Sequence, residues 1–486
     1  MLQPLIRRRL KNGGPRSDER GFTMALVAVS LLAIIAMAAL SIDIGTLYQA
    51  KAEAQRAADA AALTAARMIS ISGITGDPTN GSIDGSWGDV CGGAGSPASL
   101  AAIKVAQQNL IGGAAASKVE VYYGTNAGVG TNKDCTGAGA AFGINPVVSV
   151  YVQQASLPTF FSRIFSLVAG GTSSNSGVSA TATAEAYNPS GSGSLASGMI
   201  PVQPRCVKPW IIPNYDNLNP TLPKYFVDPT TGAVANPGIS QLGAGVIGET
   251  FNLNADCTPG AADCLFINGH MLNNPPRWNS TPPAGPPFLE YVPGLISGTP
   301  GAVPSGASCS LTAGYQSAVA GCDQSTVYAC GTLAGATADL NENPVNPSAV
   351  GGDTSTATLC LTNQLSGGHD QLAGYPGTLV FPFQIQAGFG SPLVKAGVVN
   401  SNDIITTSNS IVTIPIYDNS SGAALLGAGP QVTIIGFLQV FINTVDSFGN
   451  VNVTVLNVAG CGNAVVAGAT YANGTSPVPV RLITPP

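Results

Sequence analysis

Residues Gly21 to Ile42 read GFTMALVAVSLLAIIAMAALSI, an apolar run without a single charge. At about 1.5 Å per helical residue it reaches across a hydrocarbon core of about 30 Å. The helical pattern does not stop there. Ile44 to Met68 lacks proline, is rich in alanine, and sets Leu47, Ala50, Ala54, Ala57, Ala61, Ala65 and Met68 three or four apart on one face. The opposite side carries Gln49, Glu53, Arg56, Ala60 and Arg67, with Glu53–Arg56 and Arg56–Asp59 spaced for i,i+3 pairing. A narrow stripe of small side chains lets another backbone approach closely. It serves either the helix's own domain or a helix shared with other subunits.

Beyond the helix the period changes. Ile69 to Pro97 is a Gly/Ser/Asp loop, and Ala98–Leu110 reads as a second helix. Val119–Tyr123, Val147–Gln153 and Val178–Tyr187 are β-branched or alternating and predict strands, while Leu157–Val168 predicts a short amphipathic helix. Asn188–Ser197 (NPSGSGSLAS) predicts a flexible linker. After Met199, short strands are punctuated by Pro, Gly and Asn. The best of them are Ile411–Tyr417, Gln431–Val445 and Val451–Val458, the last two joined across Asp446–Asn450. Asn419–Val445 lacks charges and resembles a second span in length. Pro430, Gln431, Gln439 and Asn443 and the Thr/Ile/Val content favour buried strands instead. The expected fold class is α+β. A basic head (1–20) precedes a transmembrane helix (21–42), which continues into an α+β domain (43–187) with a long helix and a small antiparallel sheet. A linker (188–204) and a β-rich, disulfide-containing domain (205–486) complete the chain.

Charge sets the direction of the span. The head, Met1 to Arg20, holds Arg7, Arg8, Arg9, Lys11, Arg16 and Arg20, whereas beyond it acidic residues outnumber basic ones 23 to 13. Positive flanks resist translocation, so the head is expected in the cytoplasm and the body outside it, periplasmic or extracellular. Ala36-Met37-Ala38 would serve as a signal-peptide cut site, but the apolar run continues past it, so an uncleaved anchor is the preferred reading. The Arg7–Lys11 cluster lies too far ahead of the apolar run for a twin-arginine signal. Only 9% of residues are charged, against about 25% in ordinary soluble proteins. This argues against a nucleic-acid binder.

Candidate chemistry is sparse. All ten cysteines lie beyond the span, as an exported disulfide framework requires. Cys257–Cys264 and Cys322–Cys330 form the most local loops, although spacing does not decide the pairing. With no C-x-x-C and only His270 and His369, a zinc site is not expected. Gly243–Gly248 fits G-x-G-x-x-G, but 60 glycines make such a match cheap, and a turn is the better reading. His270, His369 and Asp370 lie in loop-like surroundings without companion motifs, and Asp256 and Asp263 read as turn residues. No catalytic, nucleotide, cofactor or metal site is expected, and the chain reads as a non-enzyme.

Three features in order, Arg20-Gly21 before the span, Asp43-Ile44-Gly45 at its end, and the helix AEAQRAADAAALTAAR (Ala52–Arg67), resemble the Tad/Flp pilus-assembly proteins of the TadG-like type. The segment Leu157–Phe165, VSATATAEA, VTIPIYD (Val412–Asp418) and IIGFLQVFI (Ile434–Ile442) are weaker parts of the same likeness. The resemblance implies a structural component of pilus assembly, anchored in the bacterial inner membrane and acting in the periplasm without catalysis. It implies other pilus-assembly proteins or pilin helices as partners. Arg20, Gly21, Asp43, Gly45, Ala54, Gln55, Ala57, Asp59 and Ala61 are then the motif and docking residues. The alternative is a surface adhesin or minor pilus subunit, and a third reading is an anchored extracytoplasmic enzyme. Pilin precursors are cut after a Gly and carry Glu at the fifth position of the mature chain. Here that position is Leu26, which departs from the pattern. The Asp-x-Ser-x-Ser motif of metal-dependent adhesion is absent from the sequence.

Overall fold

A computed structural model of the chain describes residues 17–72, 88–124, 132–157, 177–186, 202–254, 264–296, 309–328, 353–419, 432–461 and 472–483, apart from short stretches within these ranges. The expected helix at Leu157–Val168 and the linker at Asn188–Ser197 lie outside the described residues, as do Cys257 and Cys330. In chain order the first main elements are α1 (Ser17–Ile71), α2 (Pro97–Gln108), β1 (Lys118–Gly124), β2 (Val147–Gln154) and β3 (Val178–Ala186). Then follow β4 (Trp210–Pro213), β5 (Thr250–Asn254), β6 (Phe288–Glu290), α3 (Gly314–Ala320) and α4 (Asp353–Leu361). The last are β7 (Ile411–Tyr417), β8 (Ile434–Val445), β9 (Val451–Gly460) and β10 (Val480–Ile483). The class is α+β.

The apolar run and the alanine stripe are one uninterrupted helix of 55 residues, about 82 Å long at 1.5 Å per residue. No proline interrupts it, and Gly21 and Gly45 are its only glycines, each costing about 1 kcal/mol relative to alanine. From Ala50 onward α1 packs on β2, β3 and α2. The contact is made of small residues on both sides: Ala54, Ala57, Ala61 and Ala65 are fully buried, and Ala180, Ala182 and Ala184 of β3 are at most 6% exposed. Lys51 Nζ donates to the Ser179 carbonyl and Gln55 Nε2 to the Thr181 carbonyl at 3.4 Å, tying the helix to the β3 backbone. α2 starts with proline, whose missing N–H is no loss in a first turn. It buries Ala98, Ser99, Ala102 and Ala106, with Ser99 Oγ 2.6 Å from the Tyr123 hydroxyl.

The first sheet is antiparallel in the order β1-β2-β3-β10. Its fourth strand comes from the chain's C-terminal end, where Arg481 pairs with Glu185 and Leu482 with Ala184. The second sheet has eight strands in the order Val292–Pro293, β4, β7, β8, β9, β5, β6, Trp278–Asn279. Its centre is the antiparallel β7-β8-β9 meander, whose two longest strands are buried along nearly their whole length. Burial on both faces explains why these strands read as continuous apolar runs. α3 and α4 pack together beside this sheet. A buried hydroxyl cluster knits them to it: Trp210 Nε1 donates to the Tyr315 hydroxyl at 2.9 Å, and Thr354 Oγ1 lies 2.9 Å from the Tyr291 and 3.0 Å from the Tyr315 hydroxyl.

A buried polar network joins the two sheets at the end of α1. Asn457 Nδ2 donates to the Ser70 carbonyl and to Gln439 Oε1 (3.0 Å), and Gln439 Nε2 donates to Ser476 Oγ at 2.7 Å. Ser70 and Ser476 hydroxyls both donate to the Val478 carbonyl, just ahead of β10. One contiguous hydrophobic core runs from Ala50 of α1 to Val458 of β9. The expected boundary of a separate domain at 205–486 therefore needs correction at its end. Local periodicity carries no sign that β10 pairs with β3, a strand from the far side of the expected linker.

Disulfide pairing is also non-local. Cys91 bonds Cys135, Cys206 bonds Cys322, and Cys309 bonds Cys360, at separations of 44, 116 and 51 residues. Cys461 is disulfide-bonded too. The expected Cys322–Cys330 loop is thus wrong, because the fold brings Cys206, just before β4, against Cys322, just after α3. Closing loops of this size restricts the unfolded chain by about 3–5 kcal/mol each in the loop-entropy picture.

Candidate functional site: the bare half of the long helix

Before Ala50, most of α1 is exposed, apart from a narrow face on which Ala39 and Asp43 are buried. Phe22 is 71% exposed, Ile34 62% and Tyr48 75%, and other large apolar side chains from Met24 to Ile44 are exposed as well. The most apolar 18-residue window has a mean hydropathy of 2.7 and is 6% buried. Among the described residues this is the one helix long and apolar enough to cross a membrane. In water such a continuous patch would far exceed the few hundred Å² that a soluble monomer tolerates. A hydrocarbon environment removes that cost, and the helix satisfies its own backbone groups there.

The motif residues divide between the two halves. Arg20 and Gly21 lie on helical backbone at the start of α1. Asp43 is 3% exposed, and its carbonyl accepts from Thr46 Oγ1 at 2.8 Å. A side chain at Gly45 would meet nothing within 4 Å, so this glycine is not required by close packing in the monomer. Gln55 Nε2 donates to Asp59 Oδ1 at 2.8 Å and reaches the β3 backbone, so both serve the helix–sheet contact. Ala54, Ala57 and Ala61 are fully buried against the chain's own sheet and α2, which corrects their expected role as a face for partner helices. Small side chains suit either use, and the intramolecular sheet takes them. Glu53 reaches outward from this contact. It accepts from the Gly112 amide at 2.7 Å and from Gln49 at 3.1 Å, and these bonds hold its carboxyl below the usual range.

His369 and Asp370 are engaged by groups of the chain itself. His369 Nε2 lies 2.6 Å from the Asn443 carbonyl, while Asp370 accepts from Ser408 Oγ (2.5 Å) and the Gly388 amide (2.9 Å). Both fasten the loop after α4 to β8 and to its neighbours. Gly248, with φ +90°, leads into a strand rather than the helix that a nucleotide fingerprint requires. Among the described residues no three His, Cys, Asp or Glu side chains come together as metal ligands. Asp256 and Asp263 lie outside them.

Two buried ionisable features went unread in the sequence. Asp216 and Glu249 face each other in the interior, where burial and the Asp216 charge push the Glu249 carboxyl up to about 10. Glu249 is therefore protonated at neutral pH beside Asp216, whose Oδ1 accepts from the Asn219 amide at 3.1 Å. Lys208 is 4% exposed, and desolvation lowers its amine to about 7. The two acids are far apart in sequence and the lysine is isolated in an apolar stretch, so no local pattern marks them.

No curated protein and no solved structure matches the chain. Residues 21–68 match the family of Flp pilus-assembly TadE/G-like (Tad) proteins, and that likeness lies wholly on α1, over both its exposed and its enclosed half.

Proposed function

We propose that the chain is a structural, non-catalytic component of Flp pilus assembly, anchored in the inner membrane by residues 21–42, with its β-rich body in the periplasm. The observation that carries this reading is the bare apolar half of α1, rigidly continuous with a folded, disulfide-bonded body and lying inside the Tad-like segment. The basic head on one side of the span and the acidic body on the other support the orientation. Docking to pilin helices or other assembly proteins falls to the bare half within the bilayer, since the alanine face is occupied within the chain.

The intact mass of the protein from separated inner-membrane and sheared-filament fractions tests this. The expected result is a full-length, oxidised chain in the inner membrane, its body cleaved by protease only after the outer membrane is permeabilised. A chain beginning at Phe22 and recovered with filaments would overturn the reading in favour of a pilus subunit.

A further inference from the structure

A cavity of about 310 Å³ opens where the segment before β4, the end of α3 and the loop leading into β7 meet. Its lining includes the apolar Leu361, Ile411 and Val412 and both cysteines of the Cys206–Cys322 disulfide. Lys208 and Gly321 also line it, and the Lys208 Nζ donates to the Gly321 carbonyl at 2.6 Å. The Lys208 backbone amide is fixed by the Thr413 carbonyl at 2.9 Å, so the side chain leaves a rigid strand edge. The disulfide links the two short segments that hold the amine and its acceptor.

Lys208 has no acidic partner within 4.0 Å among the described residues, and one of its three donors is satisfied. Ser408 also lines the cavity, but its hydroxyl is engaged by Asp370. A buried cation without a counter-charge is costly, and an anion arriving beside it removes that cost. One ammonium matches one negative charge, which favours a carboxylate over a doubly charged phosphate. The volume holds about ten water-sized groups, so the anion can bring an apolar arm.

We propose that this cavity binds a free monovalent carboxylate with a short apolar chain, its oxygens taking the two remaining Lys208 N–H groups and its tail lying on Leu361, Ile411 and Val412. The proposal stands apart from the pilus reading and does not depend on it.

The test titrates sodium hexanoate and neutral hexanamide into the full chain in detergent at pH 6.5 and constant ionic strength, read by calorimetry. Saturable hexanoate binding, at least about tenfold tighter than hexanamide and lost in Lys208→Met, is the expected result. Equal binding of the two probes, binding retained by Lys208→Met, or no heat up to about 20 mM hexanoate overturns it. Should Lys208→Met fail to fold, the wild-type amine is followed by NMR of ε-labelled lysine. Hexanoate must raise its midpoint from near 7, and an unmoved midpoint overturns the proposal.

Discussion

The two halves of α1 share one backbone and obey opposite rules. The first, from Phe22 to Gln49, carries Leu, Ile, Val, Met and Phe and leaves them exposed. The second, from Ala50 to Ile71, carries ten alanines and buries eight of them. Were the fold alone selecting residues, the larger side chains would sit in the core, where each contributes about 1.5–3 kcal/mol. The inversion is what the proposed membrane span requires of the first half, an apolar surface turned outward. In the second half, backbone proximity to β3 matters more than the area each side chain buries.

The sharpest way to break this comparison is to charge the bare half. Leu32→Arg together with Ile35→Arg should cost about 5–7 kcal/mol of membrane insertion, from about 2.5–3.5 kcal/mol per central arginine. The protein should then leave membranes in alkaline carbonate, while the urea midpoint of the body stays unchanged. A body that unfolds along with the loss of insertion would mean that the two halves are not independent. The next effect concerns the strand that closes the first sheet. Arg481 Nε donates to Glu185 Oε1 at 2.7 Å, and the Glu185 side chain is fully buried. Arg481→Met leaves that carboxylate without its cation and should destabilise the body by about 3 kcal/mol, measured by urea denaturation.

How much was legible follows from the range of each interaction. β7 appears where the alternation Ile411–Tyr417 places it, residue for residue, and β2 and β3 differ from expectation by one residue at one end each. These elements are set by their own side chains. β10 was not legible, because four residues, Val-Arg-Leu-Ile, show no period, and their reason to be extended is Glu185 and its strand, far away in sequence. Cys206–Cys322 was hidden for the same reason. The direction of the alanine stripe was undecidable for another: Ala54, Ala57 and Ala61 fit a sheet of the same chain as well as a helix of another. The exposed half, in contrast, was legible as a long apolar helix, since its own run of residues marks it.

A matched substitution sharpens the contrast between the halves at smaller scale. Ala57→Leu inserts three carbons at a fully buried contact and should cost about 1–3 kcal/mol. Ala33→Leu, on the exposed half, should stay within about 0.5 kcal/mol. Denaturant titration of both in one detergent measures the difference. Equal costs would mean that the enclosed face is looser than its burial implies.

The gentlest probe is pH, which acts on the body and leaves the uncharged span untouched. Glu249 holds its proton up to about pH 10 in the folded protein and loses it near 4.5 when unfolded. Between these values the native state binds more protons, so stability falls as pH rises, by at most about 1.4 kcal/mol per unit. Asp216, also raised by burial, adds to the fall. Lys208 acts in the opposite sense: its folded value near 7 lies below 10.5, so it contributes stability that grows between pH 7 and 10.5. The two slopes oppose each other above pH 7, which leaves pH 5–7 as the window where the acid pair acts alone. Urea midpoints should fall across that window in the wild type and flatten in Glu249→Gln. In Lys208→Met the fall should continue above pH 7 instead of levelling. A wild-type midpoint that rises from pH 5 to 7 would show that Glu249 is ionised in the fold, paired with a cation rather than sharing its proton with Asp216.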